Sequence, residues 1–118
     1  MFERYNIGAQ QAMSQGKHVE AENLFKQALS EAEKEYGAFD NRVATACNNL
    51  ANCLRFQGKY PDAEGYYKRA LEVRQKALGP LHKDEIVILE NYAKLLRACN
   101  REQEAKKVED RAMGIMKR

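Results

Sequence analysis

The sequence has no tryptophan, only two prolines in 118 residues, and no apolar run that approaches the roughly 18 residues of a membrane-spanning helix. The first residues also lack an apolar segment of signal-peptide length, so we expect a cytoplasmic protein without membrane contact. The net charge is only +3, from 20 basic and 17 acidic residues. Such a weak and mixed charge does not favour nucleic acid as a partner.

Residues that could support catalysis or bind metal are also scarce. Cys47, Cys53 and Cys99 form an odd set without a CxxC pair or a histidine at metal-ligand spacing, and we interpret them as reduced, mostly buried thiols. The sequence contains no phosphate-binding loop, no HExxH, no nucleophile elbow and no paired carboxylates with a plausible pocket. We therefore predict a protein that is not an enzyme and that needs no metal or cofactor.

What the sequence does contain is an internal repeat. Residues 6–28, NIGAQQAMSQGKHVEAENLFKQA, align with residues 48–70, NNLANCLRFQGKYPDAEGYYKRA, at a shift of 42. A further shift of 42 gives a fainter third copy, in which Tyr92 falls on Leu50, Ala93 on Ala51 and Leu96 on Leu54. In this copy Asn100 replaces the glycine and Glu109 replaces an aromatic residue. Self-similarity at a fixed period indicates a stacked array of supersecondary units.

Each unit divides at its first glycine into two segments with helical spacing of apolar residues. Gly16 and Gly58 end the first helix of their units, Pro61 fits the first turn of the next helix, and Gly79–Pro80 ends the second helix of unit two. The pattern predicts an all-α single domain over residues 1–118, with six antiparallel helices in three helix-turn-helix repeats at about 2–40, 41–82 and 83–117. The predicted helices are 2–15, 18–36, 41–57, 60–78, 83–99 and 102–117.

Small residues recur at the positions where helices must approach one another closely. They are Ala9, Ala51 and Ala93 on first helices, and Ala21, Ala63, Ala105, Ala28, Ala70 and Ala112 on second helices. Bulky residues beside them fill the remaining space. Because one helix pair cannot bury its own apolar face, we expect the three pairs to stack into a continuous core.

The order of small, glycine and aromatic residues resembles a known repeat, the tetratricopeptide repeat. The residues that carry the resemblance are Ala51, Gly58, Tyr60, Ala63, Tyr67 and Ala70. The usual unit has about 34 residues, and the longer unit here, with NNLA in its first helix and ALGPLH at its close, is similar to the kinesin light chain subclass and its bacterial relatives. The resemblance covers residues 2–117 and implies a right-handed α-solenoid. The polar last helix, with Glu109, is similar to the C-terminal end of such arrays.

The resemblance also implies a scaffold that binds other proteins on the concave face lined by first helices. On that face we predict peptide-binding residues Asn6, Gln10, Asn48, Asn49, Asn52, Arg55, Asn91, Lys94 and Arg97. Side-chain amides donate and accept, so they can hold an extended peptide backbone without reading its sequence. The cations favour an acidic side chain or a free carboxylate.

Other interpretations of these residues stay open. Asn49 and Asn91 could instead bond to a neighbouring helix and set the stacking angle, and Arg55 and Arg97 could be solvated surface charges. The carboxylate clamp known from tetratricopeptide proteins is mostly missing, since only Asn49 matches it, and we do not expect binding of chaperone C-termini. We expect His18 and His82 to be structural.

The alternative function is structural assembly. The helix pair at the N-terminal end, with Phe2 and Ile7, could stack on another copy or on upstream repeats and give a homo-oligomer. The peptide groove would then be incidental.

Overall fold

The computed structural model describes residues 1–79 and 82–117. Within these residues it contains six α-helices and no strand, which confirms the predicted all-α fold. The helices are α1 (Phe2–Ser14), α2 (His18–Tyr36), α3 (Asn41–Phe56), α4 (Tyr60–Leu78), α5 (Glu85–Ala98) and α6 (Glu102–Met116). Pro80, part of the predicted stop after α4, lies outside the described residues.

Five of the six helices begin at the predicted residue, and α5 is the exception, since it begins at Glu85 instead of 83. The reason is a turn before it. The backbone N–H of Glu85 donates to the carbonyl oxygen of His82 at 2.9 Å, and the N–H of Asp84 donates to the His82 ring at 3.1 Å. These bonds hold the backbone in a turn, so His82 has the structural role that we expected.

The turn between first and second helix is the same in all three repeats. Gly16 and Gly58 adopt φ of 76° and 78°, and Asn100 occupies the equivalent position with φ of 60°. The N–H of the following residue bonds back to the helix at 2.8–2.9 Å in each case; these residues are Lys17, Lys59 and Arg101. Asparagine tolerates this left-handed conformation better than most residues, so the third repeat lost its glycine without losing its turn.

The six helices pack in chain order, each against the next. In addition α3 contacts α5 directly, whereas the second helices α2, α4 and α6 make no comparable contact with one another in the described part of the chain. The α3–α5 contact, together with the hydrogen bond from Asn49 on α3 to Asn6 on α1, brings the three first helices together on one side of the stack, which we call the inner side. None of the six helices, as far as the structure describes them, is long and apolar enough to cross a membrane.

The core forms as the alanine pattern predicts. None of the nine recurring alanines is more than 2% exposed, and the large side chains between them, such as Phe25, Leu50 and Tyr67, are buried as well. The ring of Tyr67 on α4 stacks on Tyr92 of α5 with centroids 5.9 Å apart, which joins the second and third repeats.

Two further residue classes can be compared with expectation. Cys47 and Cys53 are buried and Cys99 is half-buried, and burial raises the pKa of Cys47 to about 11, which keeps it an unreactive thiol.

Phe2 does not lie on an exposed face as the assembly hypothesis required. It is buried in the core at 6% exposure, and of the two residues only Ile7 is exposed.

Candidate functional site

The inner surface carries two amide pairs that connect successive first helices. Asn49 Nδ2 on α3 donates to Asn6 Oδ1 on α1 at 2.9 Å, and Asn91 Nδ2 on α5 donates to Asn48 Oδ1 on α3 at 3.4 Å. Both pairs join residues 43 apart in sequence, so the same contact recurs at both junctions. Each pair uses one donor and one acceptor and leaves the remaining amide groups able to bond a ligand.

Asn52 and Arg55 meet at a buried tyrosine. The Tyr67 hydroxyl donates to Asn52 Oδ1 and accepts from Arg55 Nε at 3.1 Å. The same guanidinium lies 5.3 Å from the ring centroid of Phe56. The buried tyrosine therefore holds both predicted site residues, Asn52 and Arg55, through its hydroxyl group.

A small cleft of about 140 Å³ lies between α1 and α3. Its walls combine amide and apolar side chains: Gln10, Met13, Phe25, Asn49, Asn52 and Phe56. Phe56 is 65% exposed, which is unusual for a side chain that would gain from burial. The cleft has room for one apolar side chain, flanked by amides that can bond the backbone carrying it.

A second cleft of about 360 Å³ lies where α3, α4 and the start of α5 meet, and sequence reasoning missed its main residue. Arg74 projects from α4 with a side chain only 11% exposed. It donates to Thr45 Oγ1 at 3.3 Å and pairs with Asp84 at 3.4 Å, while its Nε is buried without an acceptor among the described residues. Burial lowers its pKa, yet a guanidinium stays charged at neutral pH.

This cleft therefore presents a partly compensated cation. Lys83 and Asn48 also line it, so positive charge exceeds the single carboxylate of Asp84. A signal for Arg74 was present in the sequence, because it is the one charge inside an otherwise apolar stripe of α4.

In the third repeat the predicted cations differ from one another. Lys94 is exposed on α5. Arg97 is held by two carboxylates of α6, donating from Nε to Glu102 at 3.1 Å and from both terminal nitrogens to Glu109. The hydrogen bonds that Arg97 donates to Glu109 and Glu102 raise its pKa above the ordinary value. Its charge is already largely compensated within the protein.

Outside the inner surface, a carboxylate bridges each pair of adjacent repeats. Glu22 Oε1 accepts from Lys59 at 3.0 Å and Gln57 at 2.9 Å, while Lys26 lies 2.9 Å from its Oε2. Burial opposes its ionisation, but these bonds lower the pKa of Glu22 to about 2.

Glu64, 42 residues later, makes the equivalent bridge. It binds Arg101 through two bonds of 2.9 and 3.0 Å and accepts from Tyr92 at 2.6 Å. The hydrogen bonds from Arg101 lower its pKa to about 2 as well, although burial opposes that shift.

No group of three or more His, Cys, Asp or Glu residues with the geometry of a metal site occurs among the residues that the structure describes. The inner surface offers amides, one small apolar cleft and guanidinium groups. Amides can bond peptide groups, and guanidinium groups can pair with carboxylates.

Comparison with known proteins agrees with the repeat pattern. A profile of the tetratricopeptide repeat matches residues 5–76 and again residues 42–118. The chain belongs to the tetratricopeptide repeat family. Proteins with this repeat generally mediate protein–protein interaction, and the fold is typically a non-enzymatic scaffold. A comparison with curated proteins gave no match.

Solved structures place this tetratricopeptide chain beside kinesin-light-chain-like repeat proteins. BtubC (BKLC) from P. vanneervenii superimposes with a TM-score of 0.89 at 26% identity, over 97% of this chain and 45% of that one. The nearly identical TPR-like repeats of a Podosopora anserina protein assigned to the kinesin light chains give a TM-score of 0.85 at 17% identity, over 98% and 55%. The chain thus spans about half the length of these relatives.

Proposed function

We propose that the chain is a peptide-binding scaffold that holds an extended, acidic segment of another protein along the inner surface of α1, α3 and α5. The observation that carries the proposal is the juxtaposition of three recognition elements on that surface. They are the amide pairs, the apolar cleft at Phe56 and the partly compensated guanidinium of Arg74.

Each element would recognise one part of the ligand. The amides of Asn6, Asn48, Asn49 and Asn91 bond the peptide backbone, and the cleft between α1 and α3 receives one bulky apolar side chain. A carboxylate of the ligand pairs with Arg74 and Lys83, where a guanidinium and an ammonium together favour an anion. Gln10, Asn52, Arg55 and Lys94 supply further polar contacts along the same path.

The proposal is tested by selecting peptides from a random library displayed on phage and measuring the best binders by fluorescence anisotropy. We expect the selected sequences to share an acidic residue and a bulky apolar residue at a fixed spacing. Lys83→Glu and Phe56→Ala, both at surface positions of the two clefts, should each weaken binding at least tenfold. Neither change should lower the melting temperature much.

The matched control is Lys107→Glu, which makes the same charge change on the outer part of α6. It should leave peptide affinity unchanged at physiological ionic strength. Selection of peptides without acidic residues, or equal loss of binding in Lys83→Glu and Lys107→Glu, would remove the acidic-segment proposal. Loss of binding in neither cleft variant would move the function away from the inner surface.

The alternative of self-association through the repeat ends has less support. Phe2, one of the two apolar residues on which it rested, is buried within the chain's own core. Ile7 remains exposed on α1, and a single exposed apolar side chain is ordinary for a protein surface.

A further inference from the structure

The two junctions between repeats share one charged contact. Glu22 on α2 meets Lys59 in the following repeat, and Glu64 on α4 meets Arg101 in the repeat after that, both 37 residues apart. Lys59 and Arg101 stand directly after the turn residue that ends the preceding helix, so the turn fixes where their side chains start. The junction therefore places an acid on a second helix opposite a cation on the next helix turn.

The outward face of α6, at the end of the stack in this structure, departs from this pattern at three positions. Lys106 stands 42 residues after Glu64, so a cation occupies the position of the bridging acid. Glu109 stands 42 residues after Tyr67, so a carboxylate occupies a position where Tyr67 is completely buried. Asp110, one turn after Lys106, likewise replaces Lys68 and inverts the second charge of that turn.

The outward face of α1 departs from the internal junctions too. Arg4 and Gln11 are exposed and occupy the positions of Ala46 and Cys53 on α3, both of which are completely buried. Lys17 keeps the cation of Lys59 and Arg101.

A second copy that stacked its α1–α2 pair on α6, as α5 stacks on α4, would bring these positions together. Its Lys17 would face Lys106, so two cations would meet where the internal junctions have an ion pair. Arg4 of the second copy would occupy the position of Ala46, which is completely buried at the internal junction. Glu109 would lie at the position of Tyr67, which is also completely buried. Like charges in contact oppose association, and so does the removal of Arg4 and of the Glu109–Arg97 ion pair from water.

We propose that Lys106, with Glu109 on α6 and Arg4 and Lys17 on α1, prevents head-to-tail stacking of one copy of this chain on another. The reversed charge at Lys106 is the specificity-determining element. It makes the outward face of α6 reject a helix pair that carries a cation after its turn, as every repeat of this chain does.

The test restores the internal junction residues and measures mass by sedimentation velocity over a concentration series. The stacking variant carries Lys106→Glu, Glu109→Tyr and Arg4→Ala. We expect its mass to rise with concentration from the 13.5 kDa of one chain towards twice that value or more. The original chain should stay at the mass of one copy over the same range.

The matched control carries Lys107→Glu with the same Glu109→Tyr and Arg4→Ala changes, so its composition and net charge equal those of the stacking variant. It should not associate. Adding Lys17→Glu to the stacking variant should abolish association, because an acid would then face an acid. Equal behaviour of stacking variant and control, whether both associate or neither does, would overturn the role of Lys106.

The melting temperature of single-chain variants tests the same contact and does not require two copies to associate. Glu22→Lys places a lysine opposite Lys59, as Lys106 would face Lys17 of a second copy, and should lower the melting temperature. Adding Lys59→Glu restores opposite charges and should recover most of that loss. A double variant no more stable than Glu22→Lys alone would contradict the charge rule on which the proposal rests.

Discussion

The second and third repeats use equivalent positions in opposite ways. In the second repeat Arg55 bonds a buried tyrosine, Tyr67, whose ring is covered by Tyr92 of the next repeat. In the third repeat the equivalent arginine, Arg97, forms ion pairs with Glu109, which replaces that tyrosine, and with Glu102. The difference follows from burial, since an aromatic ring gains by being covered and a carboxylate gains by staying in water.

This comparison has a consequence for binding. Arg55 is held by a neutral hydroxyl and keeps its charge for a ligand, whereas Arg97 faces two carboxylates that a ligand would have to displace. The candidate site therefore depends chiefly on the first two repeats and on the junction with α5, where Arg74 lies. Four predictions test the comparison.

The largest effect is expected where the third repeat buries a charge that the second repeat lacks. Glu85 is completely buried at the position of Val43, and it accepts from Arg111 at 3.1 Å and from Gln75 at 2.8 Å. Arg111→Ala should cost about 3 kcal/mol of unfolding free energy, because it leaves a buried carboxylate without its cation. Chemical denaturation measures this, and Glu85→Val in the same background should recover most of it.

The second largest effect is expected from acid, which protonates the two carboxylates at the repeat junctions and so lowers the stability of the chain. Glu22 and Glu64 have folded-state pKa values of about 2, below the ordinary 4.5, so the stability they contribute is complete above pH 4.5 and is lost as the pH falls towards 2. We expect a loss of about 2 kcal/mol for each carboxylate, measured by denaturation across that range. Glu64→Gln should flatten the pH dependence, and an unchanged profile would show that the bridge contributes little.

Tyr67→Phe should have a smaller effect, about 1 kcal/mol, because the ring stays buried and only the hydroxyl bonds to Asn52 and Arg55 are lost. The comparison variant is Phe25→Leu, which changes a buried aromatic ring that has no hydroxyl group. It therefore measures the effect of side-chain volume alone. Heat denaturation of both separates the two contributions. A Tyr67→Phe variant as stable as the original chain would mean that the hydroxyl does not hold Arg55 in place.

The fold could be predicted well from the sequence because each repeat has the same pair of helices at equivalent positions. Shifting by 42 residues identified both helices of each unit, the turn glycines and the alanines at close contacts, and the structure confirms them. The shift identifies equivalent positions but not which positions touch. The polar contacts that recur at both junctions join residues 37 or 43 apart, as in Glu22 with Lys59 and Asn49 with Asn6, and that offset depends on the angle at which helix pairs stack.

The same limit explains the two arginines. Arg74 follows the spacing of the apolar residues of α4, and nothing in that pattern shows its partners Thr45 and Asp84, which belong to another helix and a turn. Arg97 was predicted to bind a peptide, and the sequence alone did not show its partner Glu109, because the two residues meet only once α6 folds back on α5. The spacing of residue types along the chain predicts helices and core positions. The ion pairs of a surface depend on which side chains the packed helices bring together.

The smallest expected effect concerns Arg97 itself. Glu109→Gln removes one of its two carboxylate partners, and Glu102 alone then holds the guanidinium. An exposed ion pair contributes little to stability, so the melting temperature should hardly change, but the affinity for an acidic peptide selected on the original chain should rise about two- to threefold. Fluorescence anisotropy measures this, with Asp110→Asn as the control that removes a neighbouring carboxylate not bonded to Arg97. An equal rise in both variants would reflect net charge alone. A rise confined to Glu109→Gln would mean that Glu109 competes with the peptide for Arg97, a competition that the equivalent Arg55 of the second repeat does not face from its tyrosine partner.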